Sequence, residues 1–206
     1  MSALFKLSPP RKEFSVPGVE GVISGWPKAI GVGGMSSGET FEESMRGRVL
    51  EKLLPPLSPA RFAEELRRRR FTNGADFDKV NQLYADTLRD GFASRNRLAY
   101  VNCGWREAEV EELGLTLGEM KAPNVVELDL SANNKLRSIA SIGTAISLGA
   151  LPSLQTLTFT ECTDLTSLPP ELRFLKSLRT LNLVGCFSLI HMPDLSGQKQ
   201  LEARRV

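Results

Sequence analysis

Apolar residues recur in a fixed pattern three times in the second half of the chain. The three units begin at Val125, Leu154 and Leu178, and each repeats an apolar residue at its first, fourth and sixth positions. Unit starts lie 29 residues apart (125 to 154) and then 24 residues apart (154 to 178). A period of this length is typical of one supersecondary unit that stacks on its neighbours.

The apolar positions of each unit predict a short strand with one buried face. Side chains alternate along a strand, so Leu128 and Leu130 point to one face while Glu127 and Asp129 point to the other. A single unit has nothing against which to bury its leucine face. The units therefore predict a parallel sheet of adjacent strands, stacked as a solenoid.

The ninth position of each unit carries a compact residue where the chain leaves the strand. This residue is Asn133, Cys162 or Cys186, and a more degenerate copy that begins at Arg95 supplies Cys103. Asparagine can donate and accept hydrogen bonds inside such a turn, whereas cysteine is small, largely apolar and a weak donor. We call these four residues the ladder and predict a structural role for them.

These repeats resemble the leucine-rich-repeat family. The segment 165–178 is a close match to its motif, and Leu168-Pro169 after a cysteine at the ninth position is similar to repeats of plant resistance receptors. The earlier segment from Gly104 to Leu113 is more similar to the longer, helix-containing ribonuclease-inhibitor type. The resemblance covers residues 95–206, as about four repeats plus a partial fifth. It implies an α/β solenoid with a parallel sheet on its concave face, helices or loops on its convex face, and a binding role.

The outward strand positions predict a face of short, mainly uncharged side chains, which we call the sheet face. Its rows across the strands are Arg97, Glu127, Thr156 and Thr180; Ala99, Asp129, Thr158 and Asn182; and Val101, Ser131, Thr160 and Val184. Glu127 and Asp129 make one acidic spot, which faces water without a pocket. The residues predicted to contact a protein partner are Arg97, Glu127, Asp129, Ser131, Thr156, Thr158, Thr160, Thr180 and Asn182.

The first half of the chain predicts an extended arm followed by helices. Residues 1–38 are rich in glycine, proline and serine and have no helical period, so we interpret them as an arm. Residues 39–94 predict a helical cap over the first strand of the solenoid. Its first helix runs from Thr40 to Leu54, with a capping box formed by Thr40 and Glu43.

Two further helices are predicted in the cap region. One restarts at Ser58-Pro59 and ends in a run of four arginines at positions 67–70. The other is capped by Asp76. Its apolar stripe consists of Phe77, Val80, Tyr84, Leu88 and Phe92.

At the opposite end of the chain, residues 201–206 predict a fifth strand with an open edge. Either Arg204 and Arg205 protect this edge or a partner covers it.

Composition and charge argue against several classes of function. The 26 basic and 24 acidic residues leave a net charge of +2, so nucleic acid is not a favoured partner. No apolar run approaches the roughly 18 residues of a membrane helix, and the first residues lack a secretory signal. The three cysteines fit reduced thiols in a cytoplasmic protein better than a disulfide framework.

One motif points to a different function. Residues 29–40 form an apolar run, a glycine loop and a helix start, with the spacing of a phosphate-binding loop. Glu39 stands where that loop carries lysine and would repel the phosphates. The alternative hypothesis is therefore a degenerate nucleotide-binding switch, or a fragment related to resistance receptors, whose nucleotide-binding loop the segment resembles.

Other candidate sites have simpler structural interpretations. The arginine run suits a solvated helix end, and the Pro56-x-x-Pro59 motif suits a helix break. His191 has no histidine partner, and Cys186 is predicted to lie inside a turn, so we predict no catalytic residue, no metal and no cofactor. Trp26 and Trp105 lie outside the repeat pattern and either anchor an interface or pack against the cap.

The sequence thus predicts a non-enzymatic scaffold for protein–protein interaction. It would bind another protein or a multiprotein complex through the sheet face and the arm, and a narrower version makes it a peripheral subunit of a larger assembly.

Overall fold

The computed structural model of the protein describes residues 54–68 and 74–204. Its helices are α1 (Pro59–Arg67), α2 (Gly74–Ala93), α3 (Glu107–Met120) and α4 (Ala140–Ser147), with a 3-10 helix at Pro170–Phe174. Its strands are β1 (Arg97–Ala99), β2 (Glu127–Asp129), β3 (Thr156–Thr158), β4 (Thr180–Asn182) and β5 (Glu202–Arg204). The predicted arm, the first cap helix up to residue 53, the glycine loop, Trp26 and Arg205 lie outside the described residues.

The five strands form one parallel sheet in chain order, from β1 to β5. Leu98, Leu128, Leu157 and Leu181 pair with one another in register across the first four strands, and Ala203 continues the row. Leu128, Leu157 and Leu181 are fully buried. This is the register that the leucine spacing predicts, and it includes the degenerate unit that begins at Arg95.

The strands are three residues long, so the third predicted row lies beyond them. Val101, Ser131, Thr160 and Val184 occupy turns rather than strands. The chain turns there because the eighth position of every unit adopts a left-handed backbone, with φ of 53° at Asn102, 59° at Ala132, 61° at Glu161 and 78° at Gly185. Only the last of these four units uses glycine, the residue that favours this conformation. The sequence predicts that the chain leaves the strand at the ninth position, but the residue types at the eighth position do not predict the left-handed conformation there.

The ladder residues lie immediately after these left-handed residues and bond to the preceding unit. Asn133 donates from Nδ2 to the carbonyl of Tyr100 at 2.9 Å and to that of Leu130 at 2.7 Å. The Cys162 thiol donates to the carbonyl of Leu130 at 3.2 Å, and the Cys186 thiol donates to that of Phe159 at 3.0 Å.

The carbonyls of Tyr100, Leu130 and Phe159 stand at the same position in successive units. Each ladder residue therefore ties its own turn to the turn of the unit before it. Cys103 has no preceding unit and bonds only to the nearby carbonyl of Val101, at 3.5 Å.

The segments that return from one strand to the next become shorter along the chain. α3 has 14 residues, α4 has 8 and the 3-10 helix has 5. This shortening explains why the unit period falls from 29 to 24 residues. Close contacts join successive returning segments, because a side chain at Gly114 would place its Cβ 2.7 Å from Ser141.

The helices before β1 follow the predicted boundaries with one correction. Ser58 caps α1 by accepting the amide of Arg61 at 3.3 Å, and Pro59 is the first helical residue, as predicted. α2 begins at Gly74, so Asp76 lies within its first turn and does not cap it. A carboxylate in that turn still interacts favourably with the helix dipole.

The predicted stripe of α2 is buried only in its second half. Tyr84, Leu88 and Phe92 are buried within the same apolar cluster as Leu98, whereas Phe77 and Val80 are partly buried at its edge. Phe62 of α1 stacks on Tyr84 with ring centroids 3.8 Å apart. Burial raises the pKa of Tyr84, which also lies near the carboxylate of Glu112.

A buried carboxylate ties the start of α1 to α3. Glu112 is only 7% exposed, and its two oxygens accept the amide of Ser58 at 2.9 Å and Nε of Arg61 at 3.2 Å. The hydroxyl of Thr116 donates to the carbonyl of Pro56 at 2.8 Å. The Pro56-x-x-Pro59 motif is therefore packed into the molecule, which agrees with its interpretation as a helix break.

Trp105 is a core residue and not an interface anchor. Its side chain is completely buried and stacks on Tyr100, with ring centroids 4.5 Å apart. Its backbone amide donates to Oδ1 of Asn133 at 2.9 Å, so the ladder positions it directly. The interface alternative for Trp105 is wrong because the first unit has no predecessor, and an aromatic pair fills the space beside its turn.

Replacement of Asn133 by alanine tests the ladder. Asn133→Ala removes the acceptor of the Trp105 amide and the amide donor to the buried carbonyls of Tyr100 and Leu130, so we expect the free energy of unfolding to fall by about 3 kcal/mol. Urea denaturation measures the change. Gln155→Ala, at an exposed position, is the control and should change it by less than about 0.5 kcal/mol. An equal loss of unfolding free energy in the two variants would contradict the role of the ladder.

Candidate functional site

The sheet face presents two rows of outward side chains in register. One row joins Arg97, Glu127, Thr156 and Thr180, and the other joins Ala99, Asp129, Thr158 and Asn182. These side chains are exposed or half-buried, whereas the leucine between them on each strand is buried. The structure therefore brings together the predicted residues of the first two rows.

The charges over β1 and β2 of this face are paired with one another, and Glu202 and Arg204 add a charge of each sign on β5. Nε of Arg97 lies 2.9 Å from Oε1 of Glu127, and a terminal nitrogen of Arg97 lies 3.5 Å from Oδ2 of Asp129. The predicted acidic spot is thus covered by an arginine that lies opposite it in the sheet register. Because Arg97 is about half exposed, these pairs contribute little to stability, on the order of 1 kcal/mol or less.

Ser131 is not available for contact with a partner. It is 9% exposed, and its hydroxyl and its amide both donate to Oδ1 of Asp129, at 2.6 Å and 3.0 Å. Asn182 forms a related turn by accepting the amide of Val184 at 3.2 Å. The prediction that Ser131 faces outward is wrong, because strand alternation ends at residue 129 and the turn folds the serine beneath the carboxylate.

Four threonines form the uncharged half of the sheet face, and we call them the threonine patch: Thr156, Thr158, Thr160 and Thr180. All four are half-buried, and none of their hydroxyls makes a hydrogen bond to another described residue. Each hydroxyl can both donate and accept. The patch therefore offers unsatisfied hydrogen-bonding groups on β3, β4 and the turn that follows β3.

Two large apolar side chains near the end of β4 were missed by the sequence reasoning. Phe187 is 81% exposed and Ile190 is 76% exposed. A signal was present, since Phe187 follows a ladder cysteine at a position that holds Gly104, Asn134 or Thr163 in the other units. Exposed aromatic side chains are enriched at protein interfaces, so this pair is an additional candidate contact in the unit that contains β4.

Burial suppresses the reactivity of two of the three thiols. Burial raises the pKa of Cys103 to about 11 and that of Cys162 to about 12, which keeps both thiols protonated and unreactive. His191 is exposed and pairs with Ser167 through a single parallel bridge, at the equivalent position of the preceding unit. Within the described residues, no group of three or more His, Cys, Asp or Glu side chains is placed to hold a metal ion.

No protein-family model matches this chain. The search of curated proteins likewise finds no match. Among solved structures, the chain is similar to the leucine-rich repeat domain of the type III effector XopL, with 24% identity and a TM-score of 0.38. That match covers 52% of this chain and 33% of the XopL chain. Strand order, register and the leucine pattern together describe an α/β repeat fold of the leucine-rich-repeat type.

Over residues 54–68 and 74–204, no helix combines the length and the apolar character needed to cross a membrane.

The raised thiol pKa values predict a loss of stability at alkaline pH. Native Cys162 holds its proton up to about pH 12, whereas an unfolded cysteine loses it near 9.0. The stabilisation is complete below the unfolded pKa and is lost as pH rises through this window. We expect each buried thiol to lower the free energy of unfolding by up to about 1.4 kcal/mol per pH unit there. Urea denaturation at about pH 8 and about pH 10 measures this slope.

The control for the pH dependence is Cys162→Ala, which should be less stable overall but should show a shallower slope. Alkylation provides a second readout, since iodoacetamide should modify native Cys162 far more slowly than Cys162 in urea. A slope that is the same in both proteins would contradict the assignment.

Proposed function

We propose that this protein is a non-enzymatic interaction module that binds another protein through its sheet face. The observation that supports this proposal is the threonine patch, in which four hydroxyls that make no hydrogen bond to a described residue lie on β3, on β4 and at the turn after β3. Short side chains leave the face open to an extended or flat partner surface. Phe187 and Ile190 supply the apolar contact area that the patch itself lacks.

The charge distribution favours a protein over a nucleic acid. Phosphate binding depends on lysine and arginine side chains that are free to displace counterions. On the sheet face Arg97 is already paired with Glu127 and Asp129, and the outward arginine of β5, Arg204, shares its strand with the carboxylate of Glu202. Hydroxyl groups and balanced charges instead match the mixed polar composition of protein interfaces.

The helices before β1 take the role of a cap in this proposal. The buried half of α2, with Tyr84, Leu88 and Phe92, packs into the cluster that contains Leu98 of β1. Repeat folds need such a cover because the first unit has no neighbour on one side. In this interpretation residues 95–206 form the solenoid, residues 39–94 cap it and residues 1–38 are an arm that adds contacts to the partner.

A narrower version of the proposal makes the protein a peripheral subunit of a larger assembly. The arm would then wrap around a neighbouring subunit while the sheet face holds a second contact. Both contacts are needed in this version, because the sheet face offers small side chains and few anchors.

Affinity capture with the full chain tests the role of the sheet face. Thr156→Arg with Thr180→Arg places two bulky cations in one row of the patch, and we expect loss of the partners that the wild type captures from a lysate of the source organism. The matched control is Gln82→Arg with Thr87→Arg, at exposed positions of α2. Partners that remain bound to the patch variant as well as to the control would contradict the proposal.

Deletion of residues 1–38 separates the two proposed contacts. If the arm contributes, the deletion should weaken capture of the same partners that the patch variant loses. Mass spectrometry with quantified peptide intensities measures both effects in one experiment. Full retention of every partner after the deletion would confine the function to the repeat domain.

A further inference from the structure

A second surface, separate from the sheet face, lies between the two returning helices α3 and α4. The helices border a groove with a volume of about 540 Å³. Glu107, Glu111, Leu115 and Glu119 line it from α3, and Leu148 lines it from the end of α4. None of these residues belongs to the threonine patch.

Small residues create the groove. At Gly114 the helices approach so closely that a Cβ atom would lie 2.7 Å from Ser141. One turn further along α3, Gly118 lets Leu148 pack close, since a Cβ atom there would lie 3.4 Å from Cδ1 of Leu148, and Leu115 and Leu148 both line the groove. These two leucines are 47% and 58% exposed, so each wall presents an apolar side chain to solvent.

The charge of the groove is strongly one-sided. The charged residues that line it are three glutamates, although the whole chain has a net charge of +2. Within the described part of the chain, neither Glu111 nor Glu119 makes an ion pair or a hydrogen bond. Glu107 accepts the backbone amide of Arg137 at 2.7 Å, which leaves its negative charge uncompensated by that contact.

One cation lies near this wall but cannot balance three glutamates. Lys121, just beyond α3, donates to the carbonyl of Leu148 at 2.8 Å, which places a single positive charge beside the groove. Glu107 and Glu111 are four residues apart on one helix face, where like charges repel. A cationic ligand would relieve this repulsion, whereas a polyanion would increase it.

We propose that the groove between α3 and α4 binds a basic amphipathic helix of another protein. Side chains at positions 107, 111, 115 and 119 repeat every four residues along α3 and span about 18 Å, the length of a helix of about three turns. A ligand helix with lysine or arginine at the same spacing, and one leucine in the series, places its cations against the glutamates. Its leucine then lies between Leu115 and Leu148, in the manner of a helix in an apolar groove.

A designed peptide tests this proposal on the full chain. The probe is a fluorescently labelled amphipathic peptide of about 16 residues, long enough to form helix on binding. It carries three lysines and one leucine at four-residue spacing, and fluorescence anisotropy measures its dissociation constant. We expect saturable binding that weakens as salt rises, and a loss of affinity of about tenfold or more with Glu111→Lys and Glu119→Lys together.

Two controls separate the groove from general charge. Asp78→Lys with Asp90→Lys changes the net charge by the same amount at exposed positions of α2, and should leave affinity within about twofold. A second peptide with glutamates in place of the lysines should bind the Glu111→Lys/Glu119→Lys variant more tightly than the wild type. Circular dichroism and thermal unfolding confirm that each variant is folded.

Three outcomes with the lysine peptide would overturn the proposal. They are no binding of the lysine peptide to the wild type, equal binding to the groove variant, and equal losses in the groove variant and the α2 control. Tighter binding of a single-stranded oligonucleotide than of the lysine peptide, lost in the groove variant, would also overturn it. The sheet-face variant should bind the peptide like the wild type, so this result is independent of the proposed function of the threonine patch.

Discussion

The row of leucines across adjacent strands is the constraint on which the rest of the structure depends. Leu128, Leu157 and Leu181 are fully buried, and each is covered by side chains from neighbouring units and from the returning segments. No unit can exclude water from its own leucine, so the free energy gained by burial exists only in the stack. A shift of one residue in any strand would turn its leucine outward and expose the row. The strand register therefore decides which side chains are buried, and the burial of the leucines in turn holds the register.

The ladder holds the turns to this register. Asn133, Cys162 and Cys186 each reach back to the carbonyl at the sixth position of the preceding unit, and Asn133 makes more hydrogen bonds than either cysteine. A left-handed residue precedes each of them, although alanine and glutamate occupy two of those positions at some conformational cost. Hydrogen bonds at the turn and buried side chains beside it hold the backbone in the left-handed conformation. This conformation therefore persists without glycine.

The two candidate surfaces arise because the strands and the returning segments each bury one side and expose the other. Along each strand the residues beside the buried leucine point outward, and together they form the rows of the sheet face. The returning segments bury their own apolar residues and expose the rest, so a wall of glutamates remains on α3. One surface offers hydroxyl groups and balanced charge, and the other offers negative charge with two leucines. Ligands of different chemistry are expected for each, and both can be occupied together.

The amino-acid sequence by itself determined the repeat period, the identity of the strands and the register of Leu98, Leu128, Leu157 and Leu181. Those features follow from the alternation of side chains along a strand and from the need to bury one face of the sheet. The start and cap of α1 were also predictable, because Ser58 and Pro59 act within one turn of the chain. The length of the strands was not predictable, since the left-handed turn at residues such as Ala132 and Glu161 depends on contacts with the next unit.

Only the tertiary structure decided which outward residues are free. Arg97 covers Glu127 and Asp129 because the strands pair in register, the Ser131 hydroxyl bonds to Asp129, and Trp105 is buried against Tyr100. The acidic groove likewise depends on the close approach of α3 and α4 at Gly114, between residues far apart in the chain. Side-chain spacing specifies what each segment must bury, whereas distances between segments exist only after the core has formed.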